Sequence, residues 1–201
     1  MIIEILGKFY DNQSLTIINR EMAIGLSKLH DVYITPLDQI DAEAKVTKSK
    51  IKKIKELEQK DLGEDIVPDI QIRHSYPPVW RWPVNEKTKV VFIQPWEWQK
   101  IPFEWQYKWE QFADALIVPS MWEADNILNS GLNPNKLFIV PNGYDPKIFN
   151  RELLDFFSNI PYKWTTLDTY IMYTCLKNEI EIETIDVVFN TRKYGQSKWK
   201  N

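Results

Sequence analysis

The sequence predicts an α/β protein: a Rossmann-like parallel sheet with helices on both faces. Three observations carry that expectation. Short apolar runs alternate with segments of helical periodicity over residues 2–143, and residues 1–36 read as one β-α-β unit. The run Val90-Val91-Phe92-Ile93 is wholly apolar, as in a strand covered on both faces.

Each element has its own warrant. Residues 2–6 form an apolar run closed by Gly7, which suits a buried strand and a turn. Ser14 then stands as an N-cap, and Leu15, Ile18, Met22, Leu26 and Leu29 follow at helical spacing. Residues 31–36 read as the second strand, parallel to the first because a helical crossover separates them. Residues 40–60 turn charged, with seven Lys around an Ile51, Ile54, Leu57 stripe, the pattern of a solvated helix. Over 67–74, Asp69, Gln71 and Arg73 alternate with Ile70 and Ile72, which predicts a third strand near a sheet edge. Residues 90–93 are the fourth strand, 103–112 a helix, 115–118 the fifth strand, and Ser120 opens another helix before a last strand at 137–140. Beyond Phe149 the texture changes to two short helical patterns, strand-like runs at 180–182 and 187–189, and a basic, polar tail. The expected division is therefore a domain over 1–150 and a C-terminal extension over 151–201.

Composition removes several chemistries. Glycine averages about seven per cent of residues, yet this chain of 201 has six, none spaced for G-x-G-x-x-G or for a Walker loop. One Cys and two distant His exclude a disulfide framework and the usual zinc sites, and no D-x-D pair occurs, so no metal and no cofactor are expected. A net charge of −3 argues against nucleic acid as a partner. Neither a signal peptide nor a membrane span is legible, so the default expectation is a cytoplasmic protein, with the Asn12-Gln13-Ser14 sequon incidental. The lysine-rich helix leaves peripheral contact with anionic lipid open, although such a face is most often only solvated.

Seven of the nine Trp fall between Trp80 and Trp122, many in Pro-braced loops that directly follow the third and fourth strands. Packing under long loops accounts for any single Trp. The two clusters together, at carboxyl ends of parallel strands where ligands bind in open α/β sheets, are expected to wall a binding site. Glu97 among indoles suits a general acid or base, or equally an exposed loop acid or an acceptor for a Trp N–H; His74 at a strand end suits a contact to phosphate or sugar hydroxyl, with a hydrogen-bonded structural histidine the commoner case. Asn19 and Arg20 on the first helix are further candidates, with water as their alternative surroundings.

Longer motifs add to this. Gln94-Pro95-Trp96-Glu97, then Pro102-x-x-Trp105, Val118-Pro119-Ser120, Gly131 and Val140-Pro141-Asn142-Gly143-Tyr144-Asp145-Pro146-x-x-Phe149 resemble, in order and spacing, the N-terminal half of GT-B glycosyltransferases of family 4. Ser14-Leu15-x-x-x-Asn19-Arg20-Glu21 and Asp69-Ile70-x-Ile72-Arg73-His74-x-x-Pro77-Pro78 also resemble one branch of that family, and the resemblance spans residues 1–150. It implies transfer of a sugar from a nucleotide-sugar to a saccharide or lipid-linked acceptor, with retention and without metal. It further implies that the turn from Gly7 through Leu15, Ser14 included, faces the donor phosphates and the transferred sugar. Gln94, Trp96 and Glu97 would then contact sugar, and Ser120, Asn142 and Gly143 would line an interdomain cleft.

Two departures accompany the resemblance. Relatives are Gly-rich in the first turn, where this chain has Lys8-Phe9-Tyr10-Asp11-Asn12-Gln13, and residues 150–201 show no E-x₇-E donor segment. The expectation is thus the acceptor half of a glycosyltransferase, completed by a separate donor-domain chain or covering its cleft as a homodimer. The alternatives are a non-catalytic saccharide-binding module and a degenerate glycosyltransferase remnant.

Overall fold

The computed structural model describes residues 1–39, 47–58, 66–96, 98, 100–142 and 177. The chain divides into two units, Met1–Tyr144 and Asp145–Asn201, and every element named below belongs to the first. The helices and strands expected after residue 150, and the boundary at 150, fall outside the described residues.

The elements follow in the order β1 (Ile2–Gly7), α1 (Ser14–Leu26), β2 (Asp31–Pro36), α2 (Lys48–Glu58), β3 (Ile70–His74), β4 (Lys89–Ile93), α3 (Phe103–Phe112), β5 (Ala115–Val118), α4 (Met121–Asn129) and β6 (Leu137–Ile139). The strands form one parallel sheet in the order β2-β1-β3-β4-β5-β6. The α/β class expected from the sequence is what the chain adopts.

Because side chains alternate across a strand, the sheet has two cores. On one face Ile3, Ile5, Val32 and Ile34 pack with Ala23 of α1 and with Ile54 and Leu57 of α2. On the other, Val90, Phe92, Leu116 and Val118 pack with Trp109 of α3 and with Ala124 and Ile127 of α4. Each large apolar side chain so covered contributes about 1.5–3 kcal/mol. Helices therefore lie on both faces.

Three local expectations are corrected. β3 is not near an edge: it pairs with β1 on one side and β4 on the other. Its polar residues alternate because they bond internally. Glu4 of β1 accepts from the half-buried Thr35 hydroxyl at 2.7 Å and from the Gln71 amide, and Gln71 Oε1 accepts from Arg73 Nε at 2.7 Å, with Glu4, Gln71 and Arg73 all buried. Burial beside Glu4 pushes the Tyr33 phenol up to about 12.

Helix α1 buries a polar strip more deeply than its apolar one, of which Met22 and Leu26 are partly buried against the core. Thr16, Asn19, Arg20 and Ala23 are its buried positions, while Leu29 lies past its end and is exposed. Gln13, not Ser14, holds the N-cap position, and it makes no side-chain cap bond. Capping of that turn passes to Asp11, whose carboxylate accepts from the Gln13 N–H at 2.9 Å and from the Thr16 hydroxyl. β4 is deeply covered at Val90 and Phe92 and half-covered at Val91 and Ile93.

The connection between β3 and β4 has no helix. Residues 75–88 instead form an irregular strap of bends and a turn containing Pro77, Pro78 and Pro83, whose missing N–H groups reduce the donors that such a segment must satisfy. Arg73 Nη1 donates to the carbonyl oxygens of Val79 (3.0 Å) and Arg81 (2.6 Å), and the Trp80 ring lies 5.3 Å from Phe92, 6.1 Å from Trp105 and 6.0 Å from Trp109. Much of the tryptophan excess thus supplies the apolar cover that a crossover helix supplies elsewhere. Among the described residues no helix is long and apolar enough to cross a membrane.

Candidate functional site

In this strand order the direction of winding reverses between β1 and β3, whose carboxyl ends are paired at Gly7 and His74. Such a switch point is where open α/β sheets leave a crevice for ligands. Here the chain's own groups fill it. Asn19 Nδ2 donates to the carbonyl oxygens of Lys8 (3.0 Å) and His74 (3.1 Å), and Asn19 Oδ1 lies 2.7 Å from His74 Nδ1. A Cβ on Gly7 would stand 2.5 Å from Asn19 Nδ2 and 2.6 Å from the His74 carbonyl oxygen, so only glycine fits there.

The loop over residues 8–13 is held in the same way. Asp38 after β2 accepts from the N–H groups of Phe9 and Tyr10, each at 2.8 Å, one to each carboxylate oxygen. Arg20 Nη1 donates to the carbonyl oxygens of Phe9 (2.9 Å) and Asp11 (2.7 Å). Amides that would greet a phosphate in a glycine-rich loop are here bound to an internal carboxylate. Burial lowers the Arg20 guanidinium, opposed by Asp11, Glu21 and Asp38. Burial raises the Tyr10 phenol, reinforced by its hydrogen bond to Glu58.

His74 is fully covered, and desolvation drops its imidazole from 6.5 to about 4. Asn19 fixes the tautomer: its amide nitrogen faces two carbonyls, so its oxygen must accept and Nδ1 must carry the proton. Nε2 is left as a buried lone pair with no hydrogen-bond partner among the described residues. Chemically this is a neutral imidazole able to accept one hydrogen bond, aligned by Asn19.

A second group forms at the carboxyl ends of β4 and β5. Ser120 caps α4 by accepting from the Glu123 N–H at 3.3 Å and donates to Glu123 Oε2 at 3.2 Å. Glu123 Oε1 accepts from the Trp96 N–H at 3.2 Å, and the Gln94 N–H donates to the Ile117 carbonyl at 3.0 Å. Trp96 is 5% exposed and packs edge-on against Trp98 and Trp105. Trp96, expected in the wall of a binding site, has its ring in the core, in a loop tied to α4 through Glu123.

The structure thus gathers Gly7, Asn19, Arg20 and His74 at one place, and Gln94, Trp96 and Ser120 at another. Ser14 is exposed on the first turn of α1 and Asn142 is exposed after β6. Glu97 and Gly143 lie outside the described residues. Sequence reasoning missed Asp38, which no periodicity marks. It also missed Glu123, although Ser120-x-x-Glu123 is the capping-box spacing. Among the described residues no group of three or more His, Cys, Asp or Glu is placed to hold a metal ion. No family model and no curated protein matches the chain.

Proposed function

We propose that the Met1–Tyr144 unit is the acceptor-side domain of a retaining, metal-independent glycosyltransferase of the GT-B type, family 4, working with a nucleotide-sugar and a saccharide or lipid-linked acceptor. One observation carries the reading: Gly7, His74, Gln94-Pro95-Trp96 and Pro119-Ser120, which belong to the turns and segments matched to the family, stand at the carboxyl ends of parallel strands. The Asp38 carboxylate on the Phe9 and Tyr10 amides favours an acceptor role over a donor-phosphate role for this unit.

Purified protein, alone and with any co-purifying chain, is incubated with UDP-, GDP- and ADP-sugars while nucleotide release is followed. Slow release from at least one donor is expected. No release and no heat of binding from any of them sinks the reading. The same internal carboxylate favours, as a second reading, saccharide binding without catalysis, for which oligosaccharide binding without nucleotide release is the signature.

A further inference from the structure

Where the strap rejoins the sheet, a groove of about 760 Å³ opens at the amino ends of β4, β5 and β6. That volume lies within the roughly 300–1,000 Å³ of small-molecule sites. A five-residue strand is about 13 Å long, so the groove stands well away from Gln94 and Trp96 at the other end of β4.

Its aromatic wall is Trp82, 62% exposed, with ring centroid 4.7 Å from Phe112 and tilted 49° to it. One neighbour steadies the indole while much of it stays open to solvent, and Val84 beside it is fully exposed. Four charged side chains line the groove, two of each sign: Glu86 and Asp114 against Lys89 and Lys136. Lys89 Nζ lies 2.9 Å from Asp114 Oδ1, and Lys136 Nζ lies 2.7 Å from the Glu110 carbonyl oxygen and 3.6 Å from Glu110 Oε2. A wall with no net charge gives no preference to phosphorylated, sulfated or cationic ligands. The exposed Gln111 carboxamide on the same wall both donates and accepts.

We infer that this groove binds a neutral oligosaccharide, with Trp82 stacked on the C–H face of a sugar ring and Gln111 and the Lys89–Asp114 pair bonded to its hydroxyls. Glycan capture here needs no donor site and leaves the groups at the carboxyl ends untouched. Failure at one end of the sheet therefore leaves the reading at the other end intact.

The full chain, with indole nitrogens labelled for NMR, is titrated to millimolar maltohexaose, cellohexaose and mannohexaose. At least one should shift the Trp82 indole N–H. Trp82→Ala should weaken that binding about tenfold, Gln111→Ala several-fold, and Trp82→Phe should keep part of it, with circular dichroism unchanged in all three. Trp98→Ala, an exposed indole at the opposite end of β4, should bind as the unsubstituted chain does. The inference is overturned if no neutral hexasaccharide binds, if Trp82→Ala binds undiminished, or if Trp98→Ala is the variant that loses binding. A heparin hexasaccharide binding more tightly than every neutral one also overturns it.

Discussion

Asn19 closes its carboxamide on His74, with Oδ1 2.7 Å from the ring Nδ1 and Nδ2 3.1 Å from the carbonyl oxygen of the same residue. One side chain on α1 thereby bonds both the ring and the backbone at the end of β3, and determines which ring nitrogen carries the proton. The imidazole is neutral in the fold and titrates normally once the chain unfolds.

Stability should therefore depend on pH through His74. Its folded value, about 4, lies below the ordinary 6.5, so between these pH values the unfolded chain binds more protons. Stability rises with pH across that window, and below about pH 4 the loss from this group is complete, on the order of 3 kcal/mol. Urea titrations from pH 4 to 7.5 on the protein and on His74→Gln check this. Equal pH slopes in the two proteins would refute it.

Gly7 and Gly25 should respond oppositely to alanine. A Cβ at Gly7 meets Asn19 and a backbone carbonyl below 3 Å, and overpacking of that kind costs about 1–3 kcal/mol. Gly25, in the last turn of α1 with nothing within 4 Å, should gain about 0.5 kcal/mol from helix propensity. Thermal unfolding of both variants reads the contrast.

Arg73 should be the residue on which the strap depends. Burial lowers its guanidinium to about 10, Arg81 adding to the drop and Glu4 opposing it, so it remains charged at neutral pH. Arg73→Met strands the Val79 and Arg81 carbonyls and should cost on the order of 3 kcal/mol. Arg73→Lys should recover only part of this, since an ammonium lacks the planar fork. Hydrogen exchange should quicken over residues 75–88 in both variants; protection equal to that of the native chain would refute the assignment.

The tryptophans should separate into two sets. Trp109→Ala and Trp96→Ala remove covered indoles and should each cost about 3–5 kcal/mol. Trp82→Ala should stay below about 1 kcal/mol. Similar losses at Trp96 and Trp82 would contradict the packing described here.

Apolar periodicity sufficed to read β1, β4 and β5, because their side chains are buried for being apolar. It misjudged β3 and α1, where burial serves hydrogen bonds: Gln71 and Arg73 look like solvent-facing residues until Glu4 and the strap carbonyls are set against them. Asn19 and Arg20 were legible as candidates but not as partners of loop carbonyls, since those carbonyls belong to every residue type alike. The Trp-Pro segments were visible, whereas their division into a covered set and the exposed Trp82 and Trp98 depends on the paths of the strap and of the loop after β4, which no local pattern encodes.

That path also ties the strap to residues far from it in sequence. Residues 75–88 are anchored by Arg73 and Phe92 from the sheet and by Trp105, Trp109 and Phe112 from a helix made later in the chain. A crossover helix can form its own hydrogen bonds before it docks; this segment has little to gain until α3 is in place. This face of the domain is therefore completed by contacts far apart in sequence, which cost more chain entropy to bring together than the local bonds of a helix.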